Sequence, residues 1–176
     1  VRDWSEGKDV AVEKFQHQLL YNVIPHIDKF QDNGYTGEEM KMFNETRKIM
    51  HDDQIRVSAT CVRIPVLYSH SEAVTVVTEE EISPARAREL FAAAPGLKLV
   101  DSPADAQYPM PLNTQFQDDC EVGRIRKNIA GDNTLSFWIS GDQIRKGAAL
   151  NAIQIAELLV DDSDKSREPL KVASCF

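Results

Sequence analysis

The 176-residue sequence has no run of apolar residues approaching the roughly 18 that a helix needs to cross a membrane. Positive charge is in deficit: 20 Lys and Arg stand against 28 Asp and Glu, a net charge of −8 at neutral pH. Such an acidic surface argues against a nucleic-acid groove and against an anionic membrane as partner. Cysteine is sparse. Cys61, Cys120 and Cys175 are odd in number and far apart. They make neither a disulfide framework nor a metal knuckle, and a reducing cytoplasm is the expected compartment. His17 and His26 belong to no metal-ligand spacing, so no metal site is expected. The eight glycines never fall into G-x-G-x-x-G, so the Gly-rich strand–turn–helix that cradles a dinucleotide is missing. The opening segment, VRDWSEGKDV, is polar, mixed in charge and without an initiator Met. It is no signal peptide, and a processed or truncated chain is expected.

What is present suits one domain with a proper core: 42% of residues are hydrophobic and 27% charged. A polar lead runs into EKFQHQLL (13–20), read as a short helix, and Tyr21–Ile27 is a β-prone run broken by Pro25. Asn33-Gly34 is strong turn chemistry. Thr36 with Glu39 three residues on forms a capping box for a helix from about Gly37 to Met50. Met40, Phe43 and Met50 mark its apolar face, while Glu38, Lys41, Glu45 and Lys48 occupy another at steps of three and four. Periodicity alone favours reading the latter as a solvated face stitched by ion pairs. Gln54–Ile64 and Ala73–Thr78 read as strands. Ser83-Pro84 starts a helix that ends at Pro95-Gly96. Leu97–Val100 is a short strand, and residues 101–118, with three prolines, a long loop. Glu121–Ile129 and Thr134–Ser140 pair around a turn at 130–133, with Val122, Arg124 and Arg126 on one face. The last helix runs from Gln143 to about Val160 with Ile144, Ala148, Ala152, Ile155 and Leu159 as its apolar stripe. The pattern predicts an α+β fold, a mostly antiparallel mixed sheet with helices packed on one face. Residues 1–160 form the domain and 161–176 a polar tail.

The stretch Ser58–Val77 carries the candidate chemistry. Two β-rich runs flank a loop interrupted by Pro65, a residue that cannot donate to a central ladder. If the runs lie side by side, Arg63 and His70 reach one rim. Arg is a rigid fork that fits a carboxylate bidentately, and His both takes and gives a proton near neutral pH. On spacing alone, an Arg in a surface ion pair and a hydrogen-bonded His is the favoured alternative.

Five words stand in order between about Tyr21 and about Val160: NVIPHID (22–28), NGYTGEEMKM (33–42), NETRKIM (44–50), SATCVRIPVLYSHSEAV (58–74) and KGAALNAIQIAE (146–157). Together they resemble the C-terminal, substrate-binding and dimerisation part of the aspartate-semialdehyde dehydrogenases. The resemblance implies the same α+β domain, like the C-terminal domain of glyceraldehyde-phosphate dehydrogenase, and a homodimer whose contact residues 101–118 help to shape. It implies an enzyme that interconverts aspartyl phosphate and aspartate semialdehyde, using NADPH and releasing or taking up phosphate, in lysine, threonine and methionine biosynthesis. His70 then matches the acid/base, Arg63 the clamp on the substrate carboxylate, Glu38 the contact to its amino group and Lys41 the phosphate site. Gln143 matches a polar side chain near the nicotinamide.

The family's nucleophile is a Cys in a word such as N-P-N-C, and no Asn-Cys pair occurs here. Cys61 lies in an apolar β-rich run and reads as an inert core thiol. Cys120 follows two Asp residues, which raise a thiol pKa. Cys175 sits in the polar tail, a poor place to preorganise chemistry. The chain is therefore expected to be about half of an NADP-dependent enzyme, inactive by itself. The alternative is a non-catalytic paralogue kept as a binding and dimerisation module. A different substrate on the same fold, such as an N-acetylated glutamyl phosphate, is disfavoured by Glu38, because an acetylated nitrogen carries no ammonium to pair.

Overall fold

A computed structural model describes residues 1–161, so the expected tail from residue 162 onward, with Cys175, lies outside the described residues. The chain divides into two compact units at Val66/Leu67.

The first unit, Val1–Val66, holds a one-turn helix α1 (Arg2–Ser5) and a 14-residue helix α2 (Gly37–Met50). The capping box that starts α2 forms as expected: Glu39 N–H donates to Thr36 Oγ1 and Thr36 N–H to Glu39 Oε2. His51 closes the helix in the left-handed region, at φ 53°. Two expected elements do not form. EKFQHQLL is a series of bends; eight residues with no capping side chain before them are too few to hold a helix. Gln54–Ile64 alternates in burial but forms no strand; its only ladder contact among the described residues is one antiparallel bridge between Ile24 and Arg63. Its period of two is genuine, yet a strand needs a second row of backbone groups along its length. Of the expected apolar face of α2, Met40 and Phe43 are half-buried and Met50 is exposed.

The second unit, over residues 67–161, is built on a four-stranded sheet in the order β1-β4-β3-β2, with β1 His70–Val77, β2 Leu97–Leu99, β3 Cys120–Lys127 and β4 Thr134–Gly141. β1/β4 and β4/β3 are antiparallel and β2/β3 is parallel. With its helices this is the expected α+β class. β1 pairs with 134–141, from His70 opposite Gly141 to Val77 opposite Thr134, so the expected side-by-side pairing of the two runs in Ser58–Val77 is replaced by a ladder to a strand 60 residues further on.

Helix α3 (Pro84–Ala93) begins at Ser83 with Pro at its first position, as expected. It packs with Ala87 and Phe91 on a core of Ile125, Leu135, Val76, Leu99 and Phe137. The opposite sheet face carries hydroxyls: Thr75, Ser136 and Asn128 form one cluster, and Ser71, Ser140 and Thr114 another. Residues 101–118 are not all loop. They contain a 3₁₀ turn (Pro103–Asp105) and a one-turn helix α4 (Pro111–Thr114).

Val122 does not share a face with Arg124. It is fully buried while Arg124 and Arg126 are exposed, because a β-bulge interrupts the register between Gly123 and Arg126 and puts Arg124 at φ 56°. Asp101 stabilises the bulge by accepting from the N–H groups of Arg124 and Ile125 and from Arg88. Gly123 is required there: a Cβ would lie 2.0 Å from the Val100 carbonyl oxygen. The last helix also differs. A π-helical turn (Arg145–Ala149) precedes α5 (Leu150–Asp161), with N–H groups of Gly147 and Ala149 donating to carbonyls five residues back. Ile144, Ile155 and Leu159 of the expected apolar stripe are exposed. No described helix is long and apolar enough to cross a membrane.

Candidate functional site

In the first unit, α2 presents Glu38 and Lys41 one turn apart on its outer side, joined Nζ to Oε2 at 2.9 Å. Glu38's hydrogen bond and charge hold the Lys41 ammonium above its ordinary pKa, so it stays a cation. The residue between the capping threonine and Lys41 organises this region. Glu39 is buried, and each of its carboxylate oxygens accepts a backbone N–H: Oε2 from Thr36 at 2.8 Å and Oε1 from Cys61 at 2.9 Å. The sequence shows the first bond as a capping signature. The second joins groups 22 residues apart and leaves no local signal. It fixes the extended segment two residues before Arg63 against the start of α2.

Arg63 is held at its backbone by a reciprocal bridge to Ile24, with N···O distances of 2.9 and 3.0 Å. Its guanidinium lies 4.9 Å from the centroid of the Phe15 ring, a cation–π arrangement, and it makes no ion pair among the described residues. The surface ion pair favoured on spacing is therefore not formed among the described residues.

The bonds from Thr36 and Cys61 hold the Glu39 carboxyl below the ordinary range, against the opposing pull of burial. A folded-state value below the unfolded one of about 4.3 stabilises the native state fully above that pH and is lost as pH falls through the depressed folded value. Glu39→Gln keeps one acceptor oxygen and removes the charge. It is expected to lower stability at neutral pH and to flatten the acid dependence of melting below about pH 4.3, read by circular dichroism. An unchanged slope would remove Glu39 from this role.

In the second unit, the end of the sheet where β1 starts and β4 stops holds His70, Glu72, Gln143 and Asp142. His70 is exposed at the first position of β1, opposite Gly141. Glu72, two residues on, shares its strand face. Burial pushes the Glu72 carboxyl up, and the positive charge of His70 pulls it back. Ser69, just before His70, is buried and takes φ 71°. Its N–H donates to Gln143 Oε1 at 2.6 Å, so Gln143 and His70 are tied through one residue. The Gln143 NH2 group is engaged by none of the described residues.

Asp142 locks this corner. It is 1% exposed; Oδ2 accepts from Phe116 N–H at 2.7 Å and Oδ1 from Ile144 and Arg145 N–H at 2.8 and 3.0 Å. Burial pushes its pKa up, but the three N–H groups and the Arg145 charge prevail and hold it below the ordinary range. Asp142 stands just before the expected start of the last helix at Gln143, where an Asp is a capping signal, although no role for it was drawn from the sequence.

Of the five residues singled out, the structure thus joins Glu38 to Lys41 directly and Gln143 to His70 through Ser69. Arg63 is fixed by Ile24 and connected to the start of α2 through Cys61 and Glu39. The first unit offers a carboxylate beside a cation and a second cation without an acidic partner among the described residues; the second unit offers an exposed imidazole with a carboxyl on its strand face and an amide bonded to the residue before it.

Comparison with known proteins adds a second line. Residues 1–146 match the family model for the semialdehyde dehydrogenase dimerisation domain. The chain is similar to the aspartate-semialdehyde dehydrogenase of Aquifex aeolicus, 55% identical over 160 residues that make up 90% of this chain and 47% of that protein. The same-named protein of Legionella pneumophila is 50% identical over 160 residues, 90% of this chain and 46% of the relative. Among solved structures, aspartate semialdehyde dehydrogenase II of Vibrio cholerae superposes with a TM-score of 0.88 at 41% identity, over 92% of this chain and 48% of that one. A structure of the same Vibrio enzyme complexed with ASA matches at a TM-score of 0.87 over 92% of this chain and 47% of that one, again at 41% identity. The chain spans about half the length of the relatives it matches.

Proposed function

As the chain belongs to the semialdehyde dehydrogenase family, through its dimerisation domain, we propose that it supplies the substrate-gripping and proton-moving residues of an aspartate-semialdehyde dehydrogenase. The reaction is the interconversion of aspartyl phosphate and aspartate semialdehyde with NADPH and phosphate, placed in cytoplasmic lysine, threonine and methionine biosynthesis. The observation that carries the reading is Arg63: a guanidinium fixed through its own backbone, stacked on Phe15 and without an acidic partner among the described residues. That fits an external carboxylate, which an Arg fork binds bidentately.

The other roles follow from chemistry. Glu38 is a carboxylate for the substrate ammonium. Lys41, kept charged by Glu38, is a point cation for phosphate. Their 2.9 Å contact means that each ligand group exchanges one half of an existing pair rather than meeting a bare charge. His70 takes and returns the proton. A homodimer is the proposed assembly, as the family's dimerisation-domain description supports.

NADP, when bound, supplies or accepts the hydride. The residues here suit only one part of that group. Gln143 is half-buried and its carbonyl oxygen is satisfied by Ser69, so its NH2 would be the group that holds the nicotinamide. The absence of a Gly-rich phosphate-binding turn in the sequence leaves this chain no cradle for the pyrophosphate.

The nucleophile is the missing part. Cys120 is fully buried in β3, and a thiol buried there has no access to substrate; Cys61 is half-buried, in a segment held by the Glu39 carboxylate rather than by an activating base. Supplied alone with aspartate semialdehyde, phosphate and NADP, the 176-residue polypeptide is expected to form no NADPH, measured by absorbance at high protein concentration. Measurable phosphate-dependent turnover would overturn the assignment of the nucleophile to another part of the enzyme.

A further inference from the structure

Ser69 is the most conspicuous misfit in the second unit. It is not glycine, yet it sits at φ 71°, a region that side chains with a Cβ disfavour. It is 6% exposed, and its hydroxyl has no hydrogen-bond partner among the described residues. Two unfavourable features at one residue persist only where surrounding contacts over-determine the conformation. The next residue is His70.

Little else directs His70. The residue opposite it in the ladder is Gly141, which offers no side chain to pack against. A larger residue is excluded there, since a Cβ on Gly141 would stand 2.6 Å from Cys120 Sγ. Ser140 Oγ donates to the His70 carbonyl at 3.2 Å, which fixes the backbone without engaging the ring; Glu72 on the same strand face acts on the ring through its charge. β1 is an edge strand of the sheet, so only β4 supports it. The direction in which the His70 side chain leaves the sheet is therefore set by the backbone turn before it.

We propose that Gln143 is a positioning residue for His70: by accepting the Ser69 N–H at 2.6 Å it holds Ser69 in its left-handed turn and so aims the imidazole. Gln143 can serve as a clamp because its own backbone follows Asp142, which three N–H bonds anchor. The same bond fixes which end of the Gln143 amide faces outward: the oxygen is occupied and the NH2 is presented. This role is additional to a nicotinamide contact and acts through the other end of the side chain. It rests on the reading of His70 as proton carrier only for its effect on rate; the geometry is testable by itself.

The test compares Gln143→Glu, Gln143→Leu and Ser69→Gly/Gln143→Leu with the parent polypeptide. Glu keeps an oxygen for the Ser69 N–H and loses the NH2; Leu loses both. The readouts are the Ser69 amide exchange rate and the three-bond couplings that define His70 χ1, both by NMR. In Gln143→Leu, Ser69 exchange is expected to rise about 2- to 10-fold, the worth of one ordinary hydrogen bond, and His70 to average over rotamers. Gln143→Glu should keep the parent couplings. Ser69→Gly in the Leu background should restore them, because glycine adopts the left-handed turn without a clamp. Parent-like His70 couplings in Gln143→Leu would overturn the proposal, and so would equal loss in the Glu and Leu variants. Should Gln143→Leu fail to fold, judged by circular dichroism, Gln143→Glu against the parent decides: altered couplings with the oxygen retained would contradict the clamp. In the full-length enzyme, the clamp predicts a larger kcat for Gln143→Glu than for Gln143→Leu. Equal rises in the KM for NADP with equal kcat would reduce Gln143 to a cofactor contact. Misaimed His70 with unchanged kcat would refute the proton-carrier reading and leave the clamp standing.

Discussion

Replacing His70 by Asn in the full-length dehydrogenase is expected to lower kcat by about 100- to 10,000-fold, the usual worth of a positioned acid/base, with a far smaller change in KM. Asn matches much of the imidazole's size and hydrogen-bonding capacity but neither takes up nor releases a proton near neutral pH. The structural cost should be small, because His70 is exposed and has only Gly141 opposite it. Its backbone bonds to β4 and to Ser140 do not involve the ring. Initial rates against substrate concentration, with circular dichroism to confirm folding, measure the effect.

Replacing Arg63 by Leu should act on the other parameter. The Arg63 backbone bridge to Ile24 survives the change, and Leu packs on Phe15 in place of the guanidinium. What goes is the charged fork. Hydrogen bonds to a charged group are worth about 1.5–3 kcal/mol, which corresponds to a rise in KM for aspartate semialdehyde of about 10- to 100-fold. Arg63→Lys should recover only part of it, since an ammonium lacks the bidentate geometry. A substrate analogue without the carboxylate should bind the parent and the Leu variant alike; a large difference would show that Arg63 acts by holding structure.

These residues were legible to different degrees, for physical reasons. The start of α2 was fully readable, because a capping box is a local contract between residues three apart and both of its bonds form. The β3–β4 hairpin and the start of α3 were readable for the same reason: turn and cap chemistry is written within a few residues. Gln54–Ile64 shows the limit. It alternates as a strand should, but pairing depends on what the rest of the chain offers, which no local pattern states. The bulge at Arg124 and the π-turn at Arg145–Ala149 are equally non-local, the first set by Asp101 from 23 residues away.

The candidate site divides along the same line. Arg63 and His70 were singled out by their chemistry and spacing, and Glu38, Lys41 and Gln143 through resemblance to a family, while periodicity and spacing alone favoured ordinary roles for most of them. The residues that hold them were not found. Glu39 bonds Cys61 from 22 residues away and Gln143 bonds Ser69 from 74 away. Ser69's left-handed backbone has no sequence signal at all, because serine is not the residue that such a conformation selects.

The account stands on a division of labour in which His70 moves a proton and Arg63 holds a carboxylate. Its most direct measurement is kcat and KM for aspartate semialdehyde determined together on full-length His70→Asn and Arg63→Leu. The account predicts opposite patterns: kcat collapsing at near-constant KM in the first, and KM rising with kcat largely kept in the second. Small and equal losses in both variants would contradict it.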